Sequence, residues 1–117
     1  MSNENYALVD FDDVPAIDCL CGEARRAFAD IPFSPGTIHR TEITGEATPH
    51  VHRRLTEIYY VLESSPNARL RLDDEEIEMP VGRCVVIPPG TVHAARGPLT
   101  ILNIVVPKFD PNDEYPA

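Results

Sequence analysis

The chain is short of basic residues. Ten Lys+Arg stand against nineteen Asp+Glu in 117 residues, a formal net charge of −9. Such a surface repels phosphate backbones, and the pairs Arg25-Arg26 and Arg53-Arg54 are isolated, so no nucleic-acid partner is expected. Long apolar runs are also missing. None approaches the roughly 20 residues needed to cross a bilayer. The opening stretch MSNENYALVDFDD has neither the basic start nor the apolar run of a signal peptide. A soluble, cytoplasmic protein without membrane association is the expectation. Cysteine is scarce and odd in number: Cys19 and Cys21 stand too close for an easy mutual disulfide, and Cys84 lies in an apolar run. That pattern suits a reducing compartment rather than a disulfide scaffold.

Proline, by contrast, is plentiful. Its 12 copies are roughly twice average usage, and interior proline breaks helices. Hydrophobic residues at 43% and charged residues at 25% are ordinary for a globular chain of one-domain size. The hydrophobic period is that of strands. Segments 37–44 (TIHRTEIT), 57–62 (EIYYVL), 68–72 (ARLRL), 77–79, 84–87 (CVVI), 91–95 and 99–106 (LTILNIVV) are separated by Gly and Pro at intervals of about ten residues, the rhythm of an all-β sandwich or barrel. Residues 6–11 read as an edge strand. Residues 22–29 read as a strand despite some helix propensity. Residues 1–36 form an arm packing on the core or on a partner subunit, 37–107 the core, and 108–117 an acidic tail on the surface or mobile. Several strands are apolar on both faces, which predicts that something covers the outside; a homodimer is expected. Cys84 is expected to pack as a small hydrophobe.

The histidines carry the functional signal. His50 and His52 stand two apart in PHVH, so on a strand both imidazoles share one face and Val51 takes the other. Arg53 to Thr56 has the length of a hairpin turn, which would fold Glu57 back on a neighbouring strand beside them. His93 follows the turn Pro88-Pro89-Gly90. Three imidazoles and a carboxylate suit a divalent transition metal (iron, nickel, manganese, zinc, cobalt or copper) and fit magnesium or calcium poorly. Tyr59 shares the parity of Glu57 and is the candidate catalytic residue. His39, Arg40, Arg69 and Arg71 are weaker candidates to touch a ligand, the arginines as carboxylate anchors. Cys19 and Cys21 without a second thiolate pair are expected to be plain reduced thiols.

These residues fall in two motifs. Gly45-x4-His50-x-His52-x4-Glu57 resembles the first motif of the cupin superfamily, and Gly82-x5-Pro88-x-Gly90-x2-His93 resembles the second. The resemblance, that of a small single-domain cupin of the conserved-barrel type 2, spans roughly residues 37–106. It implies a double-stranded β-helix, or jelly-roll barrel, with a metal near its centre held by His50, His52, Glu57 and His93. The chain departs from the pattern at Glu63-Ser64-Ser65, where the first motif usually ends in glycine, and at Gly97, where the second often ends in asparagine. Among cupins, such ligand sets resemble those of dioxygenases, sugar-phosphate isomerases and decarboxylases. The expected function is a metal-dependent enzyme on a small oxygenated molecule, dioxygenase-like first. A sugar or sugar-phosphate isomerase or epimerase is the alternative, and a non-catalytic binding or sensor module a third.

Overall fold

Antiparallel strands account for nearly all the regular structure of the computed structural model, which describes residues 5–117. β1 (Ile17–Cys19), β2 (Gly22–Ala27), β3 (Thr37–Ile43), β10 (Leu99–Val106), β5 (Thr56–Glu63) and β8 (Cys84–Ile87) make one six-stranded sheet in that spatial order. β11 (Glu114–Pro116), β4 (His50–His52), β9 (His93–Arg96), β6 (Arg69–Leu72) and β7 (Glu75–Glu78) make a five-stranded sheet. Among the described residues, helix is confined to two 3-10 turns, Phe11–Asp13 and Pro111–Asp113.

The two sheets form a jelly-roll-like sandwich, but neither closes into the expected barrel: both strand orders are open-ended. The corners are turned by connecting chain rather than by a continuous ladder. The edge at residues 6–11 is also corrected. It holds one bridge residue at Ala7 and the start of a 3-10 turn, not a strand. Of residues 22–29, expected as a strand against their helix propensity, Gly22–Ala27 form one. Residues 108–117 carry a 3-10 turn and then β11, which pairs with β4 through Glu114↔His52 and Pro116↔His50.

Alternation sets the core. On β3, β5 and β10 the inward positions register as rows across the sheet: Ile43 beside Leu99, then Thr41–Ile101–Val61, then His39–Asn103–Tyr59, then Thr37–Val105–Glu57. The rows run from apolar to polar. At the apolar end Val61, Leu70, Met79, Ile87 and Ile101 pack together from both sheets. On the outer face of the single chain Tyr60, Val86 and Val106 are exposed. Cys84 is exposed as well, because it pairs with Tyr60 on that outer face.

Two turn glycines have backbone reasons. Gly82 and Gly90 sit at φ +90° and +91°, where a side chain is strained. Gly90 N–H donates to His52 O at 2.8 Å, so the turn before β9 is pinned to β4. Where the first motif departs from pattern, Ala68 N–H donates to Ser65 O at 3.1 Å and closes a turn through Pro66-Asn67.

Candidate metal centre

The short strand β4 presents His50 and His52 to the interior, with Val51 facing away. β9 lies beside it in the same sheet, with His93 directly opposite His50. Glu57 arrives differently from the expected hairpin. β5 belongs to the other sheet and does not pair with β4, so the carboxylate meets the imidazoles across the sandwich. The local cause is Asp113. Its carboxylate accepts the backbone N–H of Arg53 (3.3 Å), Arg54 (3.0 Å) and Leu55 (3.0 Å), which bends the chain. Fully buried Leu55 then carries it into the core. Burial alone would raise the Asp113 pKa, but these three hydrogen bonds hold it below the usual range.

The four side chains converge, each offering a ligand atom within 4.8 Å of the others. His93 is fully buried, while His52 and Glu57 are 2% and 4% exposed. His93 Nε2 lies 2.9 Å from Glu57 Oε1, and His52 Nδ1 lies 3.4 Å from the same oxygen. Asn103 Nδ2 donates to the other carboxylate oxygen at 2.6 Å. His50 Nδ1 and His93 Nδ1 face the carbonyls of Thr48 (3.1 Å) and Thr91 (3.0 Å). A carbonyl only accepts, so each Nδ1 carries a proton and each Nε2 is left to its lone pair.

For His93 this has a consequence. With that tautomer the Nε2 lone pair and a carboxylate oxygen 2.9 Å apart are two acceptors facing one another, an arrangement that suits a bound cation. A metal ion bound there would meet both acceptors at once. Two bonds of about 2.1 Å end at most about 4.2 Å apart, so ligand atoms that lie within 4.8 Å of one another need draw in by only about half an ångström. The three-nitrogen, one-oxygen donor set, buried apart from half-buried His50, fits a divalent transition metal. Electrostatics agree. Burial pushes the Glu57 carboxyl up, but the hydrogen bond and charge of His93, with Asn103, bring it down to about 2. His50 is lowered by burial and by His93. For His52, burial is outweighed by Glu114 and Glu57, and its pKa rises.

A cavity of about 390 Å³ reaches the cluster at His50 and Glu57. Tyr59 lines it, 6% exposed, with a hydroxyl that bonds to no described residue. Burial and the charge of Glu57 raise its pKa well above the usual value, so it is a neutral phenol. His39 also lines the cavity. Its Nε2 lies 2.9 Å from Thr37 Oγ1, and burial, then the charge of Arg26, lower its pKa to about 4, so it too is neutral. Cys19 and Cys21 are free thiols at the cavity wall. A hydrogen bond between them pulls Cys19 down to about 6 and pushes Cys21 up.

The three arginines singled out in sequence lie elsewhere. Arg40 pairs with Glu42 at 3.3 Å, Arg69 donates to the carbonyls of Pro66 and Ala68, and Arg71 donates to Asp73 O. Sequence reasoning missed Arg26 and Asn103. It also missed Glu114, whose carboxylate lies 3.5 Å from His52 Nε2. Asn103 had a signal: it is the one amide in the apolar run LTILNIVV and has inward parity.

The family described as "Cupin domain" matches residues 39–105. A search of curated proteins returns no match. Among solved structures, a protein from Planctomyces limnophilus is 35% identical with a TM-score of 0.91, over 96% of this chain and 97% of that one. The nucleoside dehydratase Pac13, from Streptomyces, is 16% identical with a TM-score of 0.82, over 97% and 92%. Oxalate decarboxylase from Bacillus subtilis is 20% identical with a TM-score of 0.72; the match covers 92% of this chain but 31% of that longer one. The last two likenesses are of fold. On the matched residues, and on a relative aligned over nearly its whole length, the chain belongs to the cupin domain family.

Proposed function

We propose that this cupin is a metal-dependent enzyme that moves protons on a small oxygenated substrate, an isomerase or epimerase type of chemistry rather than the dioxygenase type. His50, His52, Glu57 and His93 would hold the metal. Bound there, it would supply a Lewis acid for a substrate hydroxyl or carbonyl oxygen. The observation that carries the reading is the cavity wall beside the cluster. Tyr59 offers an otherwise unbonded hydroxyl, and His39 an imidazole, both lining the cavity. An imidazole can take a proton and a phenol can give one, the two roles that proton transfer next to an oxygen-bearing carbon needs. Asn103 holds the Glu57 carboxylate in place. Two proteins of this fold are a dehydratase and a decarboxylase by name, and neither of those reactions consumes oxygen.

The test is direct. The metal-loaded protein is given sugars, hydroxy acids and diols in deuterated buffer, with an oxygen electrode in place. Deuterium exchange into recovered substrate, or isomer formation, without oxygen uptake is the expected result. Uptake that tracks turnover would instead favour the dioxygenase-like reading, which rests on the redox-capable donor set. Ligand binding without exchange or turnover would leave a sensor or carrier.

We also propose a homodimer formed through the outer face of the six-stranded sheet. Tyr60, Val86 and Val106, at 40%, 63% and 42% exposure, support it. Val86→Glu should turn a dimer into a monomer by light scattering; a wild-type monomer would refute the assignment.

A further inference from the structure

Two neighbouring arginines on β2 have different fates. Arg25 points outward and donates to two carbonyls, Phe11 O at 3.2 Å and Val14 O at 2.7 Å. Arg26 has the opposite parity and lines the cavity with Ala24. Its guanidinium carbon lies 4.2 Å from the centroid of the Phe109 ring. That contact holds a planar cation by its face and leaves its N–H edge free. No ion pair joins Arg26 to any described residue, and its Nε is buried without a hydrogen-bond partner. A buried donor left unmade is costly. It is also the sole basic side chain among the cavity residues besides histidine.

The carboxylates around it are otherwise engaged or apart. Glu57 is held by His93 and Asn103, and Glu114 faces His52. Asp18 lines the wall without pairing to Arg26. Register sets the distance to the cluster. Arg26 stands beside His39, and His39 beside Asn103, the residue that grips Glu57. Two strand spacings, about 10 Å, separate the Arg26 and Asn103 backbones.

We propose that Arg26 is the anion anchor of this cavity, and that the ligand is a small hydroxy or oxo carboxylic acid. Its carboxylate sits on the guanidinium, and its oxygen-bearing carbon lies toward His50 and Glu57. The assignment rests on the proposed function and narrows its substrate class. A carboxylate is favoured over a phosphate because Arg26 brings a single positive charge into a cavity that also holds Asp18, Glu57 and Glu114. The acidic side chains of the same cavity would also repel a dianion more strongly.

The test is calorimetric binding to the full chain as purified, with metal content measured on the same samples. The probes are lactate, glycerate and gluconate, the neutral lactamide and gluconamide, and inorganic phosphate with glycerol phosphate. At least one acid should bind saturably, and its amide at least about tenfold more weakly. Arg26→Met should weaken the acid at least about tenfold, the loss expected when a charge-assisted hydrogen-bonded pair is removed, with metal content unchanged. Arg26→Lys keeps the stem and the charge; it should bind the acids more weakly than the wild type while still preferring them to the amides. Equal binding of acids and amides, equal acid binding by wild type and Arg26→Met, no saturable acid binding, or tighter binding of the phosphates would each overturn the assignment. A wild type that holds no metal would instead undo the proposed function. In that case the Arg26-dependent preference for acids, measured on the same metal-free protein, still decides the anchor separately.

Discussion

One sandwich has two unlike ends. At the end around Leu70, Met79, Val61 and Ile101, both sheets contribute aliphatic side chains, and this apolar interior is the dry end. At the end around His52, Glu57, His93 and Asn103, the same strands contribute imidazoles, a carboxylate and an amide, equally buried. The change happens within single strands. β5 runs Glu57, Tyr59, Val61 along its inward face, and antiparallel β10 runs Leu99, Ile101, Asn103, Val105. The dry end supplies cohesion through removal of apolar surface from water. The polar end holds ionisable groups close together, which is stable only when each has a partner. Stability and function are thus assigned to opposite ends of shared strands, and substitutions at the two ends should have separable effects.

The largest separation is expected from His93→Ala. It should lower metal affinity by orders of magnitude while leaving the far-ultraviolet circular dichroism of the sheets intact. Unchanged metal stoichiometry by elemental analysis would break the comparison. Leu70→Ala is the converse. It should cost about 2–5 kcal/mol in urea unfolding, as truncations in packed cores do, with metal content unaltered.

How far this division could be read in advance depends on what local pattern encodes. Alternation placed the strands from residue 37 onward, because a residue's face follows from its parity. The i, i+2 spacing put His50 and His52 on one face for the same reason. Parity does not say which sheet a strand joins. A turn-length count therefore suggested a β4–β5 hairpin, whereas the Asp113 carboxylate and buried Leu55 send the chain across the sandwich. Asp113 and Glu114 sit in a stretch whose composition reads as a solvated tail. Their partners lie about sixty residues away in sequence, at Arg53–Leu55 and His52. Arg26 was hidden similarly. Beside Arg25 it reads as half of a surface pair, and only the three-dimensional neighbours, Phe109 and His39, set it apart.

Smaller effects sharpen the contrast at the polar end. Asn103→Ala removes the 2.6 Å bond that orients Glu57. Loss of such an outer partner costs about ten- to a hundredfold in metal affinity, readable by competition with a chromophoric chelator. Fold and dry-end packing should be nearly unchanged, and wild-type affinity in this variant would deny Asn103 its positioning role. Acid titration should give the smallest signal. Glu57 is held at about 2 against an ordinary value of 4.5, so its folded-state pKa is depressed. Its contribution to stability is complete above about pH 4.5 and is lost as pH falls toward 2. In the metal-free protein the urea midpoint should fall across that window, and Glu57→Gln should flatten the slope there. Equal slopes in the two proteins would show that the carboxylate is not held as described.

The most direct test of the polar end as a metal centre is X-ray absorption at the metal edge, on protein loaded with one equivalent of a divalent transition ion. A single tightly held ion with three imidazole nitrogens and one carboxylate oxygen among its nearest neighbours is expected, with loss of an imidazole contribution in His50→Ala. An ion surrounded only by water oxygens, or a spectrum identical in His50→Ala, would contradict it.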